Sequence, residues 1–425
     1  MAFSDAAKAG LALARLAGVS VPQAEPGWPV VVIASAFITG VSVARDLERH
    51  GVRVFLVDCD LAVQGFRSVY GTTLRCPNPD TEPDEWCEFM CQLAGRLGGQ
   101  PALFAASDQF VSAIGRYAGP LSTRYRISPS AELQAELAVK DGQIRLAKAH
   151  GLPTPLTCYA DSEAEVALFA AAARFPVLFK PRQHRFWSQA PVGHPMHLTK
   201  AVQANDAAEL MRNYRLAVPL SPAVVLQELI QGPDTNKRVH EAIYRHDGIR
   251  LAQVTLAVLR CTRFGVPTVC EPIDDPEVAA TCDRFFQSIG YRGKVEVELM
   301  WDERDGKPKM LDINPRFSGS GDAVQYTGID QAWLLYLDLI GQPVEPLTPP
   351  PLQNFRHVML YNDMVAIRQH WKAGLLSWAA LRRTYRAPVY FWDFDWRDWR
   401  LGASTLWAVL RVNLGTLIQA LLRRR

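Results

Sequence analysis

Near the end of the chain, KMLDINPR (309–316) alternates Asp312 and Asn314 with apolar residues. Residues two apart on a strand share a face, so this acid and this amide point the same way. Upstream, KVEVELMW (294–301) places Glu296 and Glu298 in the same alternation. The intervening DERDGKP carries both Gly and Pro, which predicts a β-hairpin. With the turn centred on Asp305, Glu298 falls opposite Asp312 and Glu296 opposite Asn314, all on one face. Val297, Leu299, Leu311 and Ile313 form the other face, which must be core. Opposed like charges repel, so a cation has to compensate. Hard oxygen donors with one amide, and neither thiolate nor imidazole, suit Mg²⁺ or Mn²⁺. A Mg²⁺ site this poor in protein ligands completes its shell with nucleotide phosphates and water. The hairpin therefore predicts a nucleoside triphosphate. A merely solvated edge would leave the apolar-flanked Asp312-Ile313-Asn314-Pro315-Arg316 run unexplained.

The elements that must position this hairpin lie upstream. Residues 4–18 read as a helix, and VVVIASA (30–36) as a buried parallel strand. SVARDLERHG then VRVFLVD add a helix and a second strand ending in Asp58, the start of a mononucleotide-binding type of unit. Its turn, ASAFITG, carries only Gly40 where a dinucleotide fingerprint needs three glycines, which argues against NAD or FAD. PALFAAS (101–107) is a further strand that brings Ser107 and Asp108 to the ligand-binding end of the sheet as substrate-contact candidates. Next comes AELQAELAVK, with Asp141 expected as N-cap of the helix GQIRLAKAHG, closed by Gly151 and Pro153. FPVLFKP (175–181) is a short strand carrying Lys180, and VVLQELIQGPD (224–234) another, bounded by Gly232 and Pro233. Between them, residues 182–200 are polar and turn-rich. Their His184, His194 and His197 have neither helical i, i+4 spacing nor a partner carboxylate, so a solvated loop is expected rather than a metal site.

At 425 residues the chain is too long for one core, and about 150 residues per domain gives two to four units. Hydrophobic content of 48%, charged content of 21% and mean hydropathy of -0.04 describe an ordinary soluble globular protein. A net charge of +3 makes no case for nucleic acid. The eight cysteines are scattered without a C-x-x-C pair, Cys87 and Cys91 being the nearest approach, on a predicted helix. With no signal peptide evident, reduced thiols in a cytoplasm are expected.

From TPPP (348–351) onward the chain turns rich in Trp and Arg, with FWDFDWRDWR at 391–400. Leu406, Leu410, Leu414, Leu417 and Leu421 then fall on one helix face, opposite Ser404, Arg411, Gly415 and Gln419, before Arg423, Arg424 and Arg425. With Arg411 and Asn413 inside, this helix is too polar to span a bilayer. It is expected to pack on the protein, or else to lie on an anionic membrane surface.

Taken in order, Lys140 before GLPTP, FPVLFKP with Lys180, LQELIQGPD, and the hairpin from Glu298 to Arg316 resemble the ATP-grasp superfamily over residues 126–345. TRFGVPTVCEP (262–272) is similar to the carboxylate-amine ligase-like members with a carbamoyl-phosphate-synthase-type ATP-binding domain. The resemblance implies a mixed α/β and α+β architecture. A helical extension (1–25) would precede a Rossmann-like pre-ATP-grasp domain (26–125). A small subdomain with a phosphate lid (126–225), a metal and catalytic subdomain (226–347) and a helical extension (348–425) would follow. It further implies that Lys140 and Lys180 neutralise the α- and β-phosphates, and that Gln227 to Ile230 hold adenine through backbone groups of Glu228 and Ile230. Ribose would lie near Asp234. Glu298, Asp312 and Asn314 would bind two Mg²⁺ (or Mn²⁺), Arg316 would stabilise the transferring phosphoryl group, and Arg263 would be either a second cation near it or a salt-bridge partner.

The activity so implied is ATP-dependent joining of an amino-acid-like carboxylate to an amine through an acyl-phosphate, with release of ADP and phosphate. Carboxylation or phosphoryl transfer on the same fold is one alternative; a non-catalytic nucleotide-binding protein docked on a membrane is another. The setting would be the cytoplasm, or the inner face of the membrane through the C-terminal helix, with no nucleic acid partner and with a homodimer left open. Three departures stand out. Asp312 replaces a common Glu, only Gly193 stands in the expected glycine-rich lid, and no Lys precedes Arg263 around Val258 to Arg260.

Overall fold

An unbroken apolar run is what a strand buried on both faces requires. In the computed structural model, Val31–Ala34 forms such a strand, β1, with every residue buried. The structure describes residues 29–181, 187, 190–191, 194–197, 201–262, 265–347, 354–393, 395, 397–407 and 410. The helix expected at 4–18 and the leucine face beyond Leu410 lie outside them. The chain divides into two compact units, one built from 144–233 with 300–311 and the other from the rest.

The larger unit begins with a parallel sheet of β1, β2 (Val54–Asp58), β3 (Thr72–Arg75) and β4 (Ala102–Ala105) in the order β3-β2-β1-β4. Val32 and Ala34 pack on one side with Trp86, Leu93 and Phe110; Val31 and Ile33 pack on the other with Val43, Leu47 and Phe317. The alternation of β1 thus feeds two cores at once. At its end Ser35 has φ 129, a region side chains rarely adopt. Asp58 holds that turn, its Oδ2 accepting from the Ala36 amide at 2.8 Å and the Ser35 hydroxyl at 3.2 Å. A Cβ on Gly40 would meet the Ser35 carbonyl at 2.1 Å, so the turn requires this glycine for close packing.

The smaller unit carries an antiparallel sheet of β5 (Thr157–Ala160), β6 (Val177–Pro181), β7 (Val202–Ala204) and β8 (Val224–Glu228), ordered β5-β8-β6-β7. The strand expected across 224–234 stops at Glu228. Helices Glu163–Ala172 and Ala207–Ala217 belong to the same unit; Ser162 and Glu165 form a reciprocal capping box on the first, and Asp206 caps the second. Their apolar faces meet Phe179, Trp187 and Leu226 in one core.

A seven-stranded sheet follows, in the order β13-β12-β9-β10-β11-β14-β15. Its members are β9 (Lys237–Tyr244), β10 (Arg250–Cys261), β11 (Pro267–Ile273), β12 (Gly293–Asp302), β13 (Lys307–Asn314), β14 (Arg356–Val358) and β15 (Val389–Phe391). The anticipated hairpin is β12–β13, closed where the Gly306 amide donates to Asp302 O at 2.8 Å. The C-terminal region has helices Leu360–Lys372 and Trp378–Thr384, and also supplies β14 and β15. Strands of three residues carry too little pattern to be seen in a sequence, since their partners decide them. Asp363 fastens this region: it accepts from Arg260 at 2.7 and 2.9 Å and from Thr268 at 2.7 Å, all buried.

One local expectation is corrected. The helix Lys140–Ala149 starts at Lys140, so Asp141 sits inside the first turn and not at the N-cap. There its charge still complements the positive end of the helix dipole. Among the described residues, no helix is long and apolar enough to cross a membrane.

Candidate active site

Alternation puts Val297 and Leu299 wholly in the core, and it turns Glu296, Glu298, Asp312 and Asn314 toward a common cavity of about 250 Å³ in the larger unit. The Asn314 amide donates to Glu296 Oε1 at 2.6 Å, the cross-strand pairing that the hairpin register requires. Asp108, Arg316, Ser318, Ser320, Thr268 and His357 line the same cavity.

Beneath the wall lies a buried polar layer. Lys294 pairs with Glu241 at 2.8 Å and donates to the Arg316 carbonyl at 2.7 Å. Ser318 donates to Glu241 at 3.1 Å, and the single hydroxyl of Ser320 lies within reach of both Glu241, at 2.8 Å, and Glu296. Burial, then the neighbouring Glu241, pushes the Glu296 carboxyl up to about 8. Burial and the Asp312 charge push Glu298 up to about 7, with Lys237 and Lys140 pulling the other way. Asp312 forms an ion pair with Lys140 and accepts from Gln143 at 3.0 Å. Gln143 is fixed in turn by donating to the Leu137 and Ile313 carbonyls at 2.8 and 2.7 Å.

This donor set fits a hard divalent ion. Two carboxylates and an amide oxygen face one space, the oxygen-only donor chemistry that such an ion prefers. Among the described residues, no group of three His, Cys, Asp or Glu side chains could hold a metal by itself.

Arg316 is gripped from the N-terminal sheet. Its Nε and Nη2 donate to the two oxygens of Asp108 at 2.6 and 3.1 Å, and Nη2 donates to Asn314 Oδ1 at 3.0 Å. A fork of this kind fixes a guanidinium in plane. Burial works against its charge, but Asp108, Glu296 and Asp312 outweigh that and hold it above its ordinary value. Of the two candidates beyond β4, Asp108 lines the cavity.

A second dyad was not expected. His357, on β14 beside Cys270 of β11, donates from Nε2 to Asp322 Oδ2 at 3.0 Å, and Arg45 pairs with the other oxygen of Asp322. All three are buried. Burial would raise the Asp322 carboxyl, and Arg45 and His357 outweigh it, keeping it below the usual range. No local spacing signals this arrangement, because its members lie 35 and 277 residues apart.

In the smaller unit, Lys180 donates to Gln227 Oε1 at 3.1 Å, and Gln227 donates to Thr157 Oγ1 at 3.1 Å. The Glu228 amide is taken by Leu156 O at 2.9 Å and its carboxylate by the Arg174 amide at 2.7 Å, while Ile230 is buried. Asp234 belongs to the larger unit and accepts from the Cys261 amide at 3.1 Å. Arg263 and His184 lie outside the described residues. His194 accepts from the Met196 amide and His197 meets Ala190 O, both local contacts.

No family model matches the chain. It is 23% identical over 212 residues to a D-alanine–D-alanine ligase of Acidovorax ebreus (strain TPSY), a match covering 46% of this chain and 58% of that protein. The chain thus spans little more than half of that relative. Among solved structures, N5-carboxyaminoimidazole ribonucleotide synthetase from Thermus thermophilus superposes with TM-score 0.58 at 14% identity, covering 75% of this chain and 81% of that one. L-amino acid ligase from Bacillus licheniformis gives 0.54 at 16%, covering 75% of each. The biotin carboxylase domain of Hydrogenobacter thermophilus 2-oxoglutarate carboxylase, in complex with MgADP and bicarbonate, also gives 0.54 at 16%, covering 75% and 71%.

Proposed function

We propose, from the premise that this chain has the ATP-grasp fold shared by those relatives, that it is an ATP-dependent carboxylate-amine ligase. The observation that carries the reading is the cavity where Arg316 and the hairpin oxygens of Glu298, Asp312 and Asn314 converge. An excess of carboxylate beside one fixed guanidinium suits phosphoryl transfer, in which charge stabilisation is nearly the whole of catalysis.

Lys140 and Lys180 would neutralise the phosphates of ATP. The Glu228 carbonyl and the Ile230 amide would read the adenine edge beside Gln227, and Asp234 would take the ribose. Glu298, Asp312 and Asn314 would hold Mg²⁺, one ion or two, with Mn²⁺ as a substitute; the neighbour crystallised with MgADP supports the pairing. Bound there, the ion would supply charge neutralisation on the β- and γ-phosphates. Arg263 remains proposed as a second cation. The domain limits proposed are 26–125, 126–225, 226–347 and 348–425, in a cytoplasmic protein.

In the first step a substrate carboxylate oxygen attacks the γ-phosphorus and the bond to ADP breaks, giving an acyl-phosphate. Arg316, oriented by Asp108, neutralises the transferring group. In the second step a neutral amine attacks the acyl carbon. With Nε2 committed to Asp322, His357 has Nδ1 to accept the amine proton as the C–N bond forms. The C–O bond breaks with its electron pair on phosphate, and the proton passes to phosphate. The products are amide and HPO₄²⁻.

Purified protein with ATP, Mg²⁺ and an amino-acid panel should release ADP only when an acid and an amine are both present. ADP release that follows bicarbonate alone would select carboxylation instead, and tight ATP binding without turnover on any pair would reject the ligase reading.

A further inference from the structure

The C-terminal region holds a surface that the reaction does not use. Residues 364–392 contain Arg368, Lys372, Arg382, Arg383 and Arg386 and no Asp or Glu. Their two helices are joined by a tight turn, where Gly374 at φ 68 lets the Leu375 amide reach back to His370 O at 2.9 Å. Ser377 caps the second helix by accepting from the Ala380 amide at 3.1 Å. The turn thrusts Leu375 outward with 75% of its surface exposed, between Trp378 at 67% and Trp371 at 43%. The two indoles stand edge to face at 4.9 Å and 73°, so they form one raised apolar ridge.

Single exposed apolar residues are ordinary; three contiguous ones on a ridge are not. Lys372, Arg382, Arg383 and Arg386, on the same two helices and just beyond them, are exposed as well. The base is rigid, since Asp363 on the first helix is locked to Arg260 and Thr268. A fixed ridge of Trp and Leu on a segment, 364–392, that carries five cations and no acid matches the layered chemistry of a bilayer surface. Indoles prefer the headgroup level, an apolar side chain gains by entering below it, and cations meet anionic phosphates.

We propose that the Trp371–Leu375–Trp378 turn docks this protein on an anionic lipid surface. This is a different segment from the C-terminal helix, and the proposal is independent of the ligase reading.

The test is flotation of the full chain with vesicles of phosphatidylglycerol in phosphatidylcholine against phosphatidylcholine alone. Binding is expected only to the anionic vesicles, with a blue shift of tryptophan fluorescence and weakening in high salt. The double substitution Leu375→Asp with Trp378→Ala should lower affinity at least about tenfold. Arg382→Gln and Arg383→Gln should each lower it about fivefold. Melting temperatures should stay unchanged in the arginine variants, whose side chains are exposed, and should fall only slightly in the double variant, which loses the Trp371–Trp378 contact. Equal binding to neutral vesicles, or none to either, overturns the proposal. So does full binding by the Leu375→Asp/Trp378→Ala protein when removal of 408–425 abolishes it, because the tail would then be the anchor. Binding to soluble polyglutamate that the arginine substitutions weaken, with vesicle affinity insensitive to Leu375→Asp, would identify an acidic macromolecule in place of lipid.

Discussion

Glu296, Glu298 and Asp312 crowd three carboxylates along one cavity wall, whereas residues 364–392 carry five Lys or Arg and no acid. Both regions break the mixing of signs that keeps an ordinary surface neutral. They differ in solvation. The carboxylates are buried or half-buried on a hairpin whose other face is core, so burial first, and neighbouring carboxylates second, lift Glu296 and Glu298 out of the carboxylate range. The cations stand in water, where repulsion is screened and cheap. Concentrated charge inside the protein calls for a bound counter-ion, while concentrated charge outside calls only for a surface of opposite sign.

Removing Arg316, the cavity-lining guanidinium held by Asp108, should have the largest effect. Arg316→Ala is expected to lower ADP release about 10³-fold with little change in ATP affinity, measured by steady-state kinetics and calorimetry. Asp108→Asn should give a smaller loss of the same kind, since it frees Arg316 without deleting it. Equal losses in ATP affinity and turnover would mean that Arg316 holds nucleotide instead of stabilising the transfer.

The dyad sharpens the contrast within the cavity. His357→Gln should slow amide formation about 10²-fold, while acyl-phosphate still forms. Asp322, Arg45 beyond it, Tyr326 and Asp393 are the charged or titratable groups around the ring. If both steps fall together, His357 supports the fold of the cavity and is not the base.

The carboxylates also set a pH dependence. Glu298 at about 7 and Glu296 at about 8 lie above their unfolded range near 4.3. Their contribution to stability is full below that range and is lost as pH rises through 7 and 8. Without Mg²⁺, the melting temperature should therefore fall between pH 6 and pH 8.5. Glu298→Gln should flatten that fall by about 1–3 °C, and saturating Mg²⁺ with nucleotide should do the same in the parent. An unchanged slope in Glu298→Gln would remove Glu298 as a source of the strain. Against these effects, Arg382→Gln and Arg383→Gln should leave turnover and melting untouched and act on vesicle binding alone.

Much of this contrast is legible in the sequence, for physical reasons. A strict period of two displays the hairpin, because one face is core and the other is not; Val297 and Leu299 against Glu298 leave no other reading. The β1 to β2 unit and Asp58 are visible because a doubly buried strand has no polar residue to blur it. Asp108 was legible as a position at the end of a strand, but its bond to Arg316 was not, since 208 residues separate them. Glu241, Lys294, Gln143 and His357 left no signal: each is one polar residue among others on its strand or helix, and only the fold makes it a partner. The ridge at Leu375 was hidden for the opposite reason, because two amphipathic helices and a glycine turn read the same whether a neighbour covers them or water does.

The most direct test of the central claim is trapping of the acyl-phosphate. Hydroxylamine is added to the enzyme with ATP, Mg²⁺ and each acid of the panel in the absence of amine. The account predicts hydroxamate and ADP in equal amounts with at least one carboxylic acid, retained in His357→Gln and lost in Arg316→Ala. ADP formed without hydroxamate on every acid, in the parent protein, would contradict it.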